Sequence, residues 1–137
     1  MLLVPQDVLL DNNGSLLMLL VPQYIMVLYG IYGEHTQAAC PLYNKEVRQE
    51  LLRGAPTLEK RAEKMGVKIL HQFHSGLEHT FLWVVDADNG HLIQELMART
   101  AGTFNTVKIV PLITFQQVLE SCKQIEEGTF FSRDTST

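Results

Sequence analysis

Cysteine is scarce in this 137-residue chain. There are two, Cys40 and Cys122, far apart in sequence. That excludes a disulfide framework and a Cys-x-x-Cys metal knuckle, and it fits a reducing cytoplasm. Charge is also sparse: acidic and basic residues make up 19% of the chain, 15 against 11, for a formal net charge of −4. No basic stretch interleaves with aromatics, so nucleic acid is not an expected partner. The leucine-rich start is interrupted by Asp7, Asp11, two prolines and the turn Asp11-Asn12-Asn13-Gly14-Ser15, which argues against a membrane span. A positive n-region and a small-residue cleavage site are missing too, so a secretory leader is not expected. The expectation is a cytoplasmic protein without a membrane partner.

The apolar fraction of 46% is enough for one domain with a core. Met1-Leu2-Leu3-Val4-Pro5-Gln6 recurs word for word as Met18-Leu19-Leu20-Val21-Pro22-Gln23. Residues 1–23 therefore read as an extension, either a plain leader to the domain or an apolar hairpin pairing with a sheet edge or second subunit. The domain is expected over 24–128, with a polar tail over 129–137.

Tyr24 to Tyr32 is an apolar and aromatic run, as expected of a central strand. Cys40-Pro41 suits the opening of a helix striped by Leu42, Val47, Leu51 and Leu52. Gly54-Ala55-Pro56 should break it, and Thr57 should cap a second short helix ending at Gly66. Glu59, Lys60, Arg61, Glu63 and Lys64 read as its solvated face. Val67–His74 and His79–Asp86 read as a hairpin of strands around Ser75-Gly76-Leu77-Glu78. Asp88-Asn89-Gly90 should cap a helix carrying Leu92, Ile93, Leu96 and Met97, with Gly102 closing it. Thr106–Ile113 reads as an edge strand, because Pro111 cannot donate to a ladder. Thr114 with Gln117 forms a capping box for a last helix ending near Gly128.

This order is the split βαβ pattern of a ferredoxin-like α+β fold, βαββαβ with an extra C-terminal helix. Its sheet order, 4-1-3-2, puts the two uniformly apolar strands in the middle. Pairing His74 opposite His79 puts Leu70, Gln72, Phe81 and Trp83 on one face, and Ile69, His71, Phe73, Leu82 and Val84 on the other. Both faces are apolar. The face away from the helices should then be buried by a second copy, giving a homodimeric α/β barrel. In that reading Gln72, Phe81 and Trp83 line the barrel interior, His71 sits in the core beneath the helices, His91 is solvated, and Cys122 is buried. Asp86 and Asp88 read as strand-end and capping carboxylates.

Gly33-Glu34-His35-Thr36 with Cys40-Pro41, then Asn44-Lys45, Gly54-Ala55-Pro56 and Gly66-Val67-Lys68, resembles a family of short, functionally uncharacterised prokaryotic proteins of the dimeric α/β-barrel type. The resemblance spans about Met26 to Leu119, and the His-Thr-x-x-x-Cys-Pro piece is its most specific part. It implies the fold and the homodimer and carries no catalytic assignment. The wider superfamily includes monooxygenases, lactone isomerases, haem-handling enzymes and ligand-sensing modules, which at this level is an analogy of fold.

The inferred topology brings His35, His74 and His79 to one sheet end beside Cys40, with Glu34 and Glu78 flanking them and Asn105 nearby. Imidazole and thiolate suit zinc, iron or copper better than magnesium or calcium. The sharp reading is a mononuclear metal site on His35, His74 and His79, with Cys40 or a carboxylate added. A second reading makes Cys40 a helix-end thiolate nucleophile with His35 as its base. The bland alternative is a wet hairpin end, a small buried cysteine, and a barrel interior that binds a small molecule or only cements a dimer.

Overall fold

A computed structural model describes residues 9–10, 16–17, 26–101 and 105–131. The repeated hexapeptide, Tyr24 and Gly102 lie outside these residues, as do most of the leader and of the expected polar tail. Met26–Leu112 forms one compact unit. It contains β3 (Leu28–Glu34), α1 (Lys45–Lys64), β4 (Val67–Ser75), β5 (Thr80–Ala87), α2 (Gly90–Thr100) and β6 (Thr106–Leu112). The remaining elements belong to a second unit. There β1 (Leu9–Leu10) pairs antiparallel with β2 (Leu16–Leu17) in a sheet of their own, and α3 spans Phe115–Glu126. The Thr114–Gln117 capping box of α3 is present in both directions. Cys122 on α3 is exposed, not buried as expected.

The four long strands form one antiparallel sheet in the order β4-β5-β3-β6. This is an α+β architecture compatible with a ferredoxin-like fold, and β6 with Pro111 lies at the edge. Strand β3 starts four residues later than expected. The Val27 N–H donates to the Asp86 carboxylate at 2.9 Å instead of entering the ladder. One face of the sheet is covered by α1 and α2. There Ile31, Val67, Val85 and Ala87 pack with Ala62, Ile93, Leu96 and Met97 in a buried core.

Four expectations about local structure are corrected. Residues 45–64 form a single helix, with Pro56 inside it. A proline there lacks its N–H, so the Leu52 carbonyl loses its helical donor, and its ring crowds the preceding turn; the Gly54 carbonyl accepts from the Thr57 hydroxyl and the Arg61 guanidinium. The helix starts at Lys45 under an Asn44 cap, so Cys40 does not stand at its N-terminus. Leu42, Leu51 and Leu52 are exposed, so the expected apolar stripe is not what buries this helix; Ala62, Leu58 and Met65 are. The cap of α2 falls in the expected Asp88-Asn89-Gly90 segment but is Asn89, which accepts from the N–H groups of His91 and Leu92, and not the Asp88 carboxylate.

The hairpin is also shifted. His74 stands opposite Phe81 and Ser75 opposite Thr80, while residues 76–79 form the loop. This moves the register by two, so His74, Gln72, Phe81 and Trp83 still share a face. That face is the helix-covered one: Phe81 and Trp83 pack against the core and do not line an open barrel face. A β-bulge at Leu70, between the Ile69–Val85 and His71–Val84 pairs, brings Val67 and Ile69 to the same side. His71 lands on the opposite face and is exposed, not beneath the helices.

Gly33 is buried at the point where Phe81 crosses β3. A Cβ there would lie 2.0 to 2.6 Å from the Phe81 ring atoms. Gly33→Ala should therefore destabilise the fold by about 1–3 kcal/mol in urea denaturation, and Phe81→Leu in the same chain should recover part of that loss. Equal midpoints for wild type and Gly33→Ala would show that the ring does not press on this glycine.

Candidate functional site

The site is built where β3 ends and the β4–β5 loop turns. The His35 N–H donates to the His79 carbonyl at 3.0 Å, which extends the strand pairing by one bond and ties the loop to the strand exit. His79 is held at φ 56°, the left-handed region that glycine and asparagine enter most readily. Non-glycine residues kept in that region often serve a function that repays the strain.

Cys40 reaches the same place from the loop after β3. A short 3-10 turn, Gln37–Ala39, is capped by Thr36 and ends at Cys40. The Tyr43 and Asn44 N–H groups both donate to the Cys40 carbonyl, at 3.0 and 2.7 Å. Asn44 also donates from its side chain to the Ala38 carbonyl while its oxygen caps α1. Arg48 adds contacts to the Pro41 and Leu42 carbonyls. The loop is thus fixed from both sides, and Cys40 is completely buried.

One potential donor atom each from His35, Cys40 and His79 lies within 4.8 Å of the other two. Both ring nitrogens of His35 and Nδ1 of His79 are buried without a hydrogen-bond partner among the described residues. Buried imidazole nitrogens are ordinarily satisfied, so three orphaned nitrogens on two rings beside a buried cysteine are a specific departure. The His74 ring stacks on His35, with centroids 5.3 Å apart and planes 8° from parallel. His79 meets His35 edge-on at 5.7 Å, and Tyr43 meets His79 at 5.9 Å.

All three histidines singled out from the sequence gather here, but not in equal roles. His74 is exposed and stacks on the cluster without joining the three-atom group. Cys40 joins it. Neither carboxylate does: Glu78 accepts from the Ser75 hydroxyl, which holds its carboxyl below the usual range, and Glu34 is exposed on the far sheet face. The nucleophile–base reading loses its helix-end support, because Cys40 is not at the N-terminus of α1; His35 and Cys40 do lie with donor atoms within 4.8 Å of each other, without a hydrogen bond to either His35 nitrogen. The Tyr43 contact was not foreseen, since nothing in its sequence neighbourhood sets it apart from other loop aromatics.

The His35 pKa lies below the ordinary histidine value. Burial is the main cause, followed by the neighbouring His74 and His79. The Asn105 side chain opposes the shift but does not reach hydrogen-bonding geometry with either ring nitrogen; its amide donates to the Ala101 carbonyl.

The family model for a domain of unknown function (DUF3303) matches residues 40–126. The chain belongs to this family. The matched stretch contains Cys40, His74 and His79 and begins after His35. No curated protein matches the chain, and no solved structure does. Among the described residues, no helix is long and apolar enough to cross a membrane.

The lowered His35 pKa fixes the sign of one pH effect in metal-free protein. The unfolded chain takes up the proton first, below about pH 6.5. The contribution of His35 to stability is therefore complete above that pH and is lost as pH falls through the folded value. Unfolding free energy should drop between pH 7.5 and 5, and His35→Gln should flatten that slope. An unchanged slope in the variant would remove His35 as its source.

Proposed function

We propose that this protein binds one transition-metal ion, best suited to zinc, through His35, Cys40 and His79. The observation that carries the reading is the set of buried, unpartnered imidazole nitrogens converging on a buried thiol. A tetrahedral zinc with Zn–N near 2.1 Å and Zn–S near 2.3 Å sets its donors roughly 3.5 Å apart. The cluster would need to close by about an ångström, which is within reach of side-chain rotation. Burial already disfavours a proton on His35, so the neutral, metal-ready imidazole is the resting form near neutral pH.

Three protein donors leave one tetrahedral position for water or an oxygen-bearing substrate, the pattern of catalytic zinc sites. A bound ion would supply Lewis acidity and lower the pKa of that water. His74, stacked on His35 and exposed, is the next imidazole in reach. It serves to orient His35, or to complete the shell when no substrate is present.

Untagged protein should carry about one equivalent of zinc, iron or copper per chain through dialysis, measured by mass spectrometry of the metal. Cys40→Ser and His35→Ala should abolish stoichiometric binding, and His74→Ala should weaken it by about tenfold. His79→Gly is the useful control, because glycine accepts the left-handed backbone and the chain stays folded while losing a donor. Full retention of metal in the Cys40→Ser and His35→Ala proteins would overturn the reading.

A second reading concerns the partner. The sheet face away from α1 and α2 carries Phe73 and Tyr32, 58% and 44% exposed, with Leu82, Val84 and Val110 partly exposed beside them. A contiguous apolar sheet face calls for cover, and a second copy pairing face to face about a two-fold axis would provide it. Light scattering on the eluting protein should give twice the chain mass, and Val84→Asp should reduce it to one chain mass. A wild-type monomer would exclude this partner.

A further inference from the structure

We propose that Asn105 is a positioning residue of the metal centre: its side-chain oxygen accepts the ring N–H of His35 that points away from the ion. The inference rests on the metal reading and adds what holds the His35 ring in the tautomer that binds. It starts from a count of nitrogens. Both ring nitrogens of His35 are buried without a hydrogen-bond partner among the described residues, and the three-atom group with Cys40 and His79 uses one of them. A neutral imidazole carries its proton on the other nitrogen. Metal-bound histidines ordinarily give that proton to a carboxylate, a carbonyl or a water, and the partner fixes tautomer and ring orientation.

The neighbours of His35 narrow the choice of acceptor. The His74 ring lies face to face with it, planes 8° apart, whereas a ring N–H points outward in the plane of its own ring. Cys40 and His79 are the other donors to the ion. Glu78 is engaged by Ser75, and Glu34 is on the far face of the sheet. Asn105 stands on the other side of His35 from His79. The β3–β6 ladder ends on the pair Glu34–Thr106, so one step further sets residue 105 across from residue 35. The bond from the His35 N–H to the His79 carbonyl continues the β3–β5 ladder in the same way. His35 is thus flanked by His79 on one strand and by Asn105 on the other. The Asn105 side chain also acts on the His35 ring as an acceptor does, opposing the effect of burial.

The amide of Asn105 is already oriented for this role. Its Nδ2 donates to the Ala101 carbonyl at 2.6 Å. Ala101 is the C-cap of α2, where the last carbonyls have no donor within the helix. An asparagine side chain donates only through its nitrogen and accepts only through its oxygen. With the nitrogen spent on the helix end, the oxygen is left for the ring, and it accepts no hydrogen bond from another described residue. The bond to His35 is not formed in this structure; it forms as the ring turns to meet the ion. The end of α2 then steadies the metal centre through one side chain, from Ala101 to Asn105 to His35.

The test is zinc affinity at constant pH, by competition with a chromophoric chelator, for the full chain and two variants. Asn105→Leu removes both ends of the amide and should weaken zinc binding by about ten- to a hundredfold. Asn105→Asp keeps an acceptor for the ring but has no donor for Ala101, and it should bind zinc at least as tightly as wild type. A role confined to the end of α2 predicts otherwise, since both variants lose the Ala101 contact and should weaken alike. A second readout needs no variant. In zinc-loaded protein labelled with nitrogen-15 histidine, one ring N–H of His35 should give a slowly exchanging proton resonance with a nuclear Overhauser contact to the Asn105 side chain. Equal weakening in both variants, wild-type affinity in Asn105→Leu, or the lack of that resonance would each overturn the role of Asn105 and leave the metal reading standing. A wild type that binds no zinc would overturn the metal reading, and this inference with it.

Discussion

The backbone bond from His35 to the His79 carbonyl sets the position of everything at this end of the molecule. It extends the β3–β5 ladder past the last paired residues, Glu34 and Thr80. Because β3 and β5 are central and antiparallel, the exit of one and the entry of the other are forced to be neighbours. The bond then removes the remaining freedom of the loop. His35 and His79 come from positions 44 residues apart in sequence, yet the core beneath them keeps them in one geometry. Ile31 and Val85, on the same two strands, are fully buried.

That geometry works against local preference in several ways. His79 occupies a backbone region that most side chains avoid. Three imidazole nitrogens forgo hydrogen bonds that a buried group normally makes. The His35 pKa is depressed, chiefly by burial and then by the neighbouring His74 and His79. Each of these features is costly in a protein that only needs to fold. An ion at the centre would take one lone pair from His35 and one from His79 and would make the neutral His35 ring the favoured form.

The sheet order and the gathering of the histidines were legible in the sequence because they depend on coarse features. Uniform hydrophobicity marks β3 and β5 as central, and Pro111 marks β6 as an edge. Antiparallel neighbours then bring residues 35, 74 and 79 together whatever the loop details. Finer assignments failed where two solutions share one pattern. Faces built from Phe81 and Trp83, or from Leu82 and Val84, are equally apolar. Only Ile31, Val85 and the packing of α2 decide which one the helices cover. Gly54-Ala55-Pro56 looks like a stop, but one helix runs through it from Lys45 to Lys64. The Asn44 cap sets the start of α1 at Lys45 and leaves Cys40 in a loop, where its role comes from neighbours distant in sequence.

The extra residue in β4 makes the address of His74 a matter of counting. Before Leu70 the odd-numbered side chains of this strand face the helices; after it the even-numbered ones do. A relative lacking Leu70 would pair Ile69 with Val85 and His71 with Val84 in an unbroken ladder, leaving His74 opposite Phe81 and beside His35. The bulge thus acts as a slack residue: the strand can lose it without moving any member of the histidine cluster.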